Sequence, residues 1–214
     1  MKRNGVELAA RYSYGACLKA KELEICALLA ALLQSKSSKS DKITKQLKAR
    51  LIYLKPFFYY VKIATKCQIK DPFSWPVIKA YWLGNELLDR FLTPNLPHHN
   101  LVILNDAEIF SQHFGWPAIL ANLNSCKISV GKVKEIKNDK LRVQIALLIS
   151  NQKKIFKEEC DLIMKKGLLK KVREGDLVSF HWGEGREILD RNEVEYLNVV
   201  DELLIEKLNQ KERL

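Results

Sequence analysis

The sequence lacks the features that mark several classes of protein. It has five cysteines, an odd number, and no two of them form a Cys-x-x-Cys pair. This pattern argues against a secreted disulfide framework and against an all-cysteine zinc site. The longest apolar run, residues 25–33, is far shorter than the ~20 residues of a membrane-spanning helix. The first residues carry charge with no apolar segment behind them, so we expect no signal peptide and a cytoplasmic protein.

The sequence has few motifs of nucleic-acid recognition, although its net positive charge favours that function. The formal net charge is +11 at pH 7, and a basic chain attracts phosphate backbones. The chain nevertheless lacks an arginine–aromatic interleaving or a Gly-rich motif of the kind that binds single strands. A nucleic-acid-binding barrel with a basic helical domain therefore stays as the alternative function.

Residues 1–124 predict a helical domain. Apolar residues make up 47% of the sequence, which is ample for a core. Helical periodicity is present in four stretches, which are residues 17–34, residues 41–54, a third from near Asp71 or Ser74 to Phe91, and residues 106–123, interrupted by Pro117. The aromatic run 57–61 is expected to be mostly buried, and the domain is expected to fold separately from the rest of the chain.

Residues 125–214 predict a small OB-like β-barrel with a C-terminal helix. Alternation of apolar and polar residues replaces helical spacing after residue 124. The predicted strands are residues 132–136, 141–149, 153–156, 176–182 and 186–189, while residues 158–169 are ambiguous between a strand and a loop with a short helix. A last helix is predicted from Asn192 toward Leu208. The fold class is therefore α+β.

The candidate chemistry lies at the two ends of the barrel sequence. Cys126 precedes the first predicted strand, and His181 lies near the end of the last long one. A soft thiolate together with an imidazole is the start of a metal or iron site. His98 and His99 point in different directions in an extended chain, so one of them at most is expected to add a ligand, and a polar loop without metal is the other interpretation. A Cys126–His181 thiolate–imidazolium pair in an enzyme is a third.

Two motifs resemble a known family. Residues 126–133 (CKISVGKV) and residues 172–183 (VREGDLVSFHWG) are similar to C-x-x-x-P-G-x-V and V-x-x-G-D-x-V-x-x-H-x-G of the HypC/HupF hydrogenase-assembly chaperones. The acidic helix after the second motif also fits, and the resemblance covers residues 126–214 at most. In that family the cysteine and the histidine are taken to hold iron carrying cyanide and carbon monoxide during maturation of nickel–iron hydrogenase. The matching positions here are Cys126 and His181.

The resemblance implies a non-enzymatic assembly protein of a nickel–iron hydrogenase or a related metalloenzyme. Its expected partner is a hydrogenase large subunit or a maturation factor, and its expected cargo is a transient Fe–cyanide/CO fragment. Partner binding is assigned to the motif glycines and the nearby lysines, namely Gly131, Gly183, Lys127 and Lys132. One departure affects the chemistry: the family cysteine becomes the N-terminal residue, whereas Cys126 is internal and has no free amine to chelate metal.

Overall fold

The computed structural model describes residues 4–13, 21–34, 40–92, 95–104, 115–151 and 154–211. The chain divides into two compact units, a helical unit (Met1–Pro97) and a barrel unit (His98–Leu214). Within the described ranges, no helix is long and apolar enough to cross a membrane.

The described helices of the helical unit pack around an aromatic core. They are α1 (Gly5–Ser13), α2 (Lys21–Gln34), α3 (Ser40–Leu51), α4 (Lys55–Lys66), α5 (Trp75–Trp82) and a 3₁₀ helix (Glu86–Arg90). The ring of Tyr12 stacks on that of Trp82 with centroids 5.2 Å apart, and the indole N–H of Trp82 donates to the hydroxyl of Tyr60 at 2.7 Å. This bond satisfies two buried polar groups inside an apolar core, as burial requires.

Two predictions for the helical unit are wrong in detail. The helix predicted to reach Phe91 ends at Trp82, because Gly84 adopts φ 83° and the side chain of Asn85 caps a separate 3₁₀ helix. The aromatic run 57–61 is not mostly buried: Tyr60 is buried, but Phe58 is 67% exposed. Both residues lie on α4, whose two faces point to the core and to solvent.

The barrel unit contains a five-stranded sheet that closes on itself, so the predicted α+β fold with an OB-like barrel and a C-terminal helix is confirmed. The strands are β1 (Ser129–Lys137), β2 (Lys140–Asn151), β3 (Lys154–Lys165), β4 (Leu177–His181) and β5 (Glu184–Ile188). Their order around the barrel is β1-β2-β3-β5-β4. Pairing of β1 with β4 is antiparallel and closes the barrel, whereas β3 meets β5 in parallel.

Most of the segment that the sequence leaves ambiguous, residues 158–169, belongs to strand β3. Residues 154–165 pair along their whole length with β2. Cys160, Leu162 and Met164 face the barrel core, while Ile163 between them points outward. Gly167, at φ 59°, then turns the chain against β5, where an added Cβ would lie 2.6 Å from the carbonyl oxygen of Gly185.

The boundary between the units lies earlier than the sequence predicts, at Pro97/His98 instead of residues 124/125. The described part of the barrel unit includes the helical segments α6 (residues 99–104), α7 (Trp116–Cys126) and α8 (Arg191–Lys211). The side chain of Asn124, in α7, bonds both the N–H and the C=O of Leu148 in β2, which ties α7 to the barrel. Pro117 occupies the first turn of α7 and starts that helix; residues 105–114 of the predicted helix lie outside the described residues.

Candidate metal centre

Three potential metal ligands converge in the barrel unit: His99 from α6, Cys126 from the end of α7 and His181 from the end of β4. One ligand atom from each lies within 4.8 Å of the other two. The Sγ of Cys126 is 3.7 Å from Nε2 of His99 and 4.0 Å from Nε2 of His181. The imidazole rings are nearly perpendicular, with centroids 5.2 Å apart.

The spacing and the donor set both fit a bound metal. With metal–sulfur bonds of ~2.3 Å and metal–nitrogen bonds of ~2.0–2.1 Å, sulfur and nitrogen on one tetrahedral or trigonal centre lie ~3.6–3.8 Å apart. The 3.7 Å distance to His99 lies within that range, and the 4.0 Å distance to His181 exceeds it by about 0.2 Å. One thiolate and two imidazoles suit zinc, copper or iron rather than calcium or magnesium. Three protein ligands leave a position open for an exogenous group.

The turn between β4 and β5 holds His181 beside Cys126. Trp182 and Gly183 both have positive φ, 54° and 72°, as a two-residue turn of type I′ requires. A non-glycine residue in this conformation is strained, so surrounding contacts must hold it. The N–H of Trp182 donates to the carbonyl of Ser125 at 2.8 Å, which fastens the turn next to Cys126.

The backbone on the other side of Cys126 is fixed by the side chain of Asn100. Its Oδ1 accepts from the N–H of Ile128 at 2.7 Å, and its Nδ2 donates to the carbonyl of Ile128 at 3.0 Å. The same Nδ2 donates to Asp201 of α8 at 3.1 Å. Asn100 follows His99 directly, so one turn of α6 supplies both a candidate ligand and the side chain whose hydrogen bonds fix the backbone after Cys126.

A buried ion pair completes this support. The Nζ of Lys127 lies 3.0 Å from Oδ2 of Asp201, and the lysine side chain is only 1% exposed. Burial of both charges is tolerated because each has a partner, and Asp201 has Asn100 as a second one. The pair connects the residue after Cys126 to α8.

On the β5 side, Arg186 supports the histidine end of the cluster. This arginine is fully buried. Its Nη2 donates to the carbonyl of His181 at 3.2 Å, and its Nη1 lies 3.3 Å from a carboxylate oxygen of Glu184. The buried guanidinium thereby fixes the backbone of His181.

The imidazole of His99 already contacts the backbone of Cys126. Its Nε2 lies 3.0 Å from the carbonyl oxygen of Cys126, and because a carbonyl only accepts, this nitrogen carries the proton. Metal ligation through Nε2 requires the ring proton to move to Nδ1 and the thiol proton of Cys126 to leave. The carbonyl contact keeps the ring within a short movement of the sulfur.

The structure places the two adjacent histidines differently. Only His99 joins the cluster. His98 is fully buried, and its Nδ1 accepts the N–H of Asn100 at 3.1 Å at the start of α6. Burial, with a smaller contribution from neighbouring His99, lowers the pKa of His98 to about 3. The predicted polar loop is wrong for this pair, since His99 is also only 4% exposed.

The residues assigned to partner binding have varied environments. Lys127 is buried against Asp201, which leaves its ammonium out of reach of a partner. Gly131 lies against the ring of Phe180, where an added Cβ would come within 2.8 Å of a ring carbon, so it serves the barrel core. Gly183 lies at the turn with open space around it, and Lys132 is exposed on β1.

Sequence reasoning misses the three supporting residues Asn100, Asp201 and Arg186. Their roles depend on contacts between distant parts of the chain. The one available signal is Asn100, a polar residue that directly precedes the apolar run at residues 101–104.

The comparisons with known proteins identify a family. A family described as a family of unknown function, DUF6390, matches residues 93–213. The chain belongs to the DUF6390 family. The match spans almost the whole barrel unit and includes His99, Cys126 and His181, but it excludes nearly all of the helical unit. No curated protein and no solved structure matches the chain.

Proposed function

We propose that this DUF6390 protein is an assembly protein of a nickel–iron hydrogenase or a related metalloenzyme, and that it holds an iron fragment at His99, Cys126 and His181. The observation that carries this proposal is the convergence of the three ligand atoms within 4.8 Å. The iron fragment is cargo, which the protein receives and passes on to its partner.

The burial of the three ligands suits a carrier. Cys126 is 9% exposed, and His99 and His181 are 4% and 3% exposed. A labile iron fragment held there is kept from water, which protects it from hydrolysis and loss. With three protein ligands, a six-coordinate iron would keep its other positions for the fragment's own cyanide and carbon monoxide.

The choice of iron and of a hydrogenase partner depends on the resemblance to the HypC/HupF chaperones. In that resemblance Cys126 and His181 are the matching ligands. The imidazole of His99 takes the place that a free N-terminal amine would fill, since the internal Cys126 offers a peptide nitrogen only. The chain thus contains a third nitrogen ligand despite its departure from the family pattern.

The proposal predicts transfer of iron to a partner. We expect the chain to co-purify with the precursor of a nickel–iron hydrogenase large subunit when the two are co-expressed, and to raise the iron content of that precursor. The Cys126→Ala variant should leave the precursor without this iron. A precursor that gains equal iron with wild type, with Cys126→Ala and without the chain would contradict the proposal.

The alternative of a nucleic-acid-binding barrel has support from topology alone. OB-like barrels commonly bind oligonucleotides. Here, however, three of the barrel's cations are engaged by neighbouring carboxylates, in the pairs Arg142–Glu135, Arg142–Asp161, Lys157–Glu202 and Lys165–Glu184. Binding of a single-stranded oligonucleotide that weakens steeply with salt would favour this alternative.

A further inference from the structure

The helical unit exposes an apolar surface centred on α4. Leu92, Tyr53 and Phe58 are 86%, 71% and 67% exposed, and Ile52 and Val61 also reach solvent. We name these five residues the α4 face. Contiguous exposed apolar patches on soluble proteins mark binding surfaces more often than isolated side chains do. The other large exposed apolar residues in the described ranges, Ile163, Ile188 and Val199, lie on three separate elements of the barrel unit.

The shape of the α4 face is a ridge between two depressions. Phe58 and Val61, one helical turn apart, line both. One depression continues over Ile52 and Tyr53, and the other continues over Leu92. A ridge with a groove on each side is the surface that a second helix packs against, since side chains at three- and four-residue spacing fill such grooves.

The charge around the α4 face has one sign. Its cations are Lys55, Lys62, Lys66 and Arg90, and no carboxylate lines either depression. Among the described residues, none forms a salt bridge with Lys62, Lys66 or Arg90. A partner that covers the apolar ridge therefore gains by presenting acidic residues at its edges.

We propose that the α4 face binds an acidic amphipathic helix of a partner protein. Depressions on both sides of the ridge favour side chains that insert, whereas a flat lipid surface would leave them unfilled. Tyr53 and Phe58 are the aromatic residues of the α4 face, but Ile52, Val61 and Leu92 are aliphatic, so base stacking would leave most of the apolar surface uncovered. This proposal is independent of the metal centre, and residues 52–66 lie outside the part of the chain that matches the family.

The test uses the full chain and a fluorescent synthetic helix with Leu and Phe on one face and Glu on the other. We expect saturable binding by fluorescence anisotropy. Phe58→Glu should weaken it by about tenfold or more, as loss of a central apolar anchor does. The Lys62→Glu, Lys66→Glu double variant should also weaken it, most at low salt. The matched control is Lys42→Glu with Lys45→Glu, the same charge change on exposed positions of α3, which should leave the affinity within about twofold.

Several results would overturn the proposal. They are the absence of binding, equal binding of a shuffled peptide of the same composition, and equal affinity in the α4-face variants and the α3 control. Binding of anionic phospholipid vesicles or of an oligonucleotide that Phe58→Glu abolishes, with peptide affinity unchanged, would reassign the face. If Phe58→Glu lowers the melting temperature, the Lys62→Glu, Lys66→Glu double variant tests the proposal by itself, because both lysines are exposed. Iron loading should be unchanged in all α4-face variants, which separates this test from that of the metal centre.

Discussion

The Cys126→Ala variant is expected to lose iron binding by a factor of more than about 100, with little loss of fold. Even partners that only orient metal ligands cost about 10–100-fold when removed, and Cys126 is the one sulfur in the cluster. Its thiol is small and lies at the end of α7, so the free energy of unfolding should fall by only about 1 kcal/mol. Anaerobic Fe²⁺ titration and a thermal melt of the same preparations measure both quantities.

The matched control for this variant is Cys160→Ala. Cys160 is the other cysteine of the barrel unit and is partly buried, and its thiol donates to the carbonyl of Ile145 rather than facing a histidine. We expect a similar small loss of stability and normal iron affinity. Equal iron binding by wild type, Cys126→Ala and Cys160→Ala would contradict the assignment of the metal centre.

The largest expected loss of stability is that of Lys127→Met. This change leaves Asp201 as a buried carboxylate without its cation. Breaking one side of a buried ion pair costs about 3–5 kcal/mol, which lowers the melting temperature on the order of 10 °C. Differential scanning calorimetry measures the effect. Replacing both members, Lys127→Met with Asp201→Asn, should restore most of the loss, because no uncompensated charge then remains and the side-chain oxygen at position 201 still accepts from Asn100.

An exposed ion pair supplies the comparison. Lys157 on β3 lies 2.6 Å from Glu202 on α8, with side chains 24% and 68% exposed. It connects the barrel to the same helix, yet Lys157→Met should cost no more than about 1 kcal/mol, because water solvates the remaining carboxylate. If Lys127→Met and Lys157→Met cost the same, the buried pair does not support the site as described.

The sequence predicts the barrel well, because alternation is a local signal. Residues 141–145 alternate as a strand buried on one face must, with Leu141, Val143 and Ile145 buried, and the Asn138-Asp139 turn is visible in the residue types. Asn138 adopts φ 54°, which asparagine tolerates better than most residues. Cys126 and His181 are also accessible to sequence reasoning, since each flanks a predicted strand that closes the barrel.

Other features depend on tertiary packing and have no local signature. His99 reaches Cys126 only because the fold brings together residues 27 positions apart in the chain, and sequence spacing does not distinguish it from His98. Lys127 has the sequence character of a surface residue, yet Asp201, far along the chain, makes its burial tolerable. Phe58 is typical of a core residue, but α4 turns it to solvent because Tyr60, Ile63 and Ala64 already fill the inner face.

The central claim is that one sulfur and two imidazoles of this chain bind iron. Iron K-edge X-ray absorption of the full chain, loaded with Fe²⁺ under anaerobic conditions, tests it most directly. The account predicts a first shell with one sulfur at ~2.3 Å and two nitrogens at ~2.0–2.1 Å, and loss of one imidazole contribution in His99→Ala. A first shell of oxygen alone, or a spectrum identical in wild type, His99→Ala and Cys126→Ala, would contradict it.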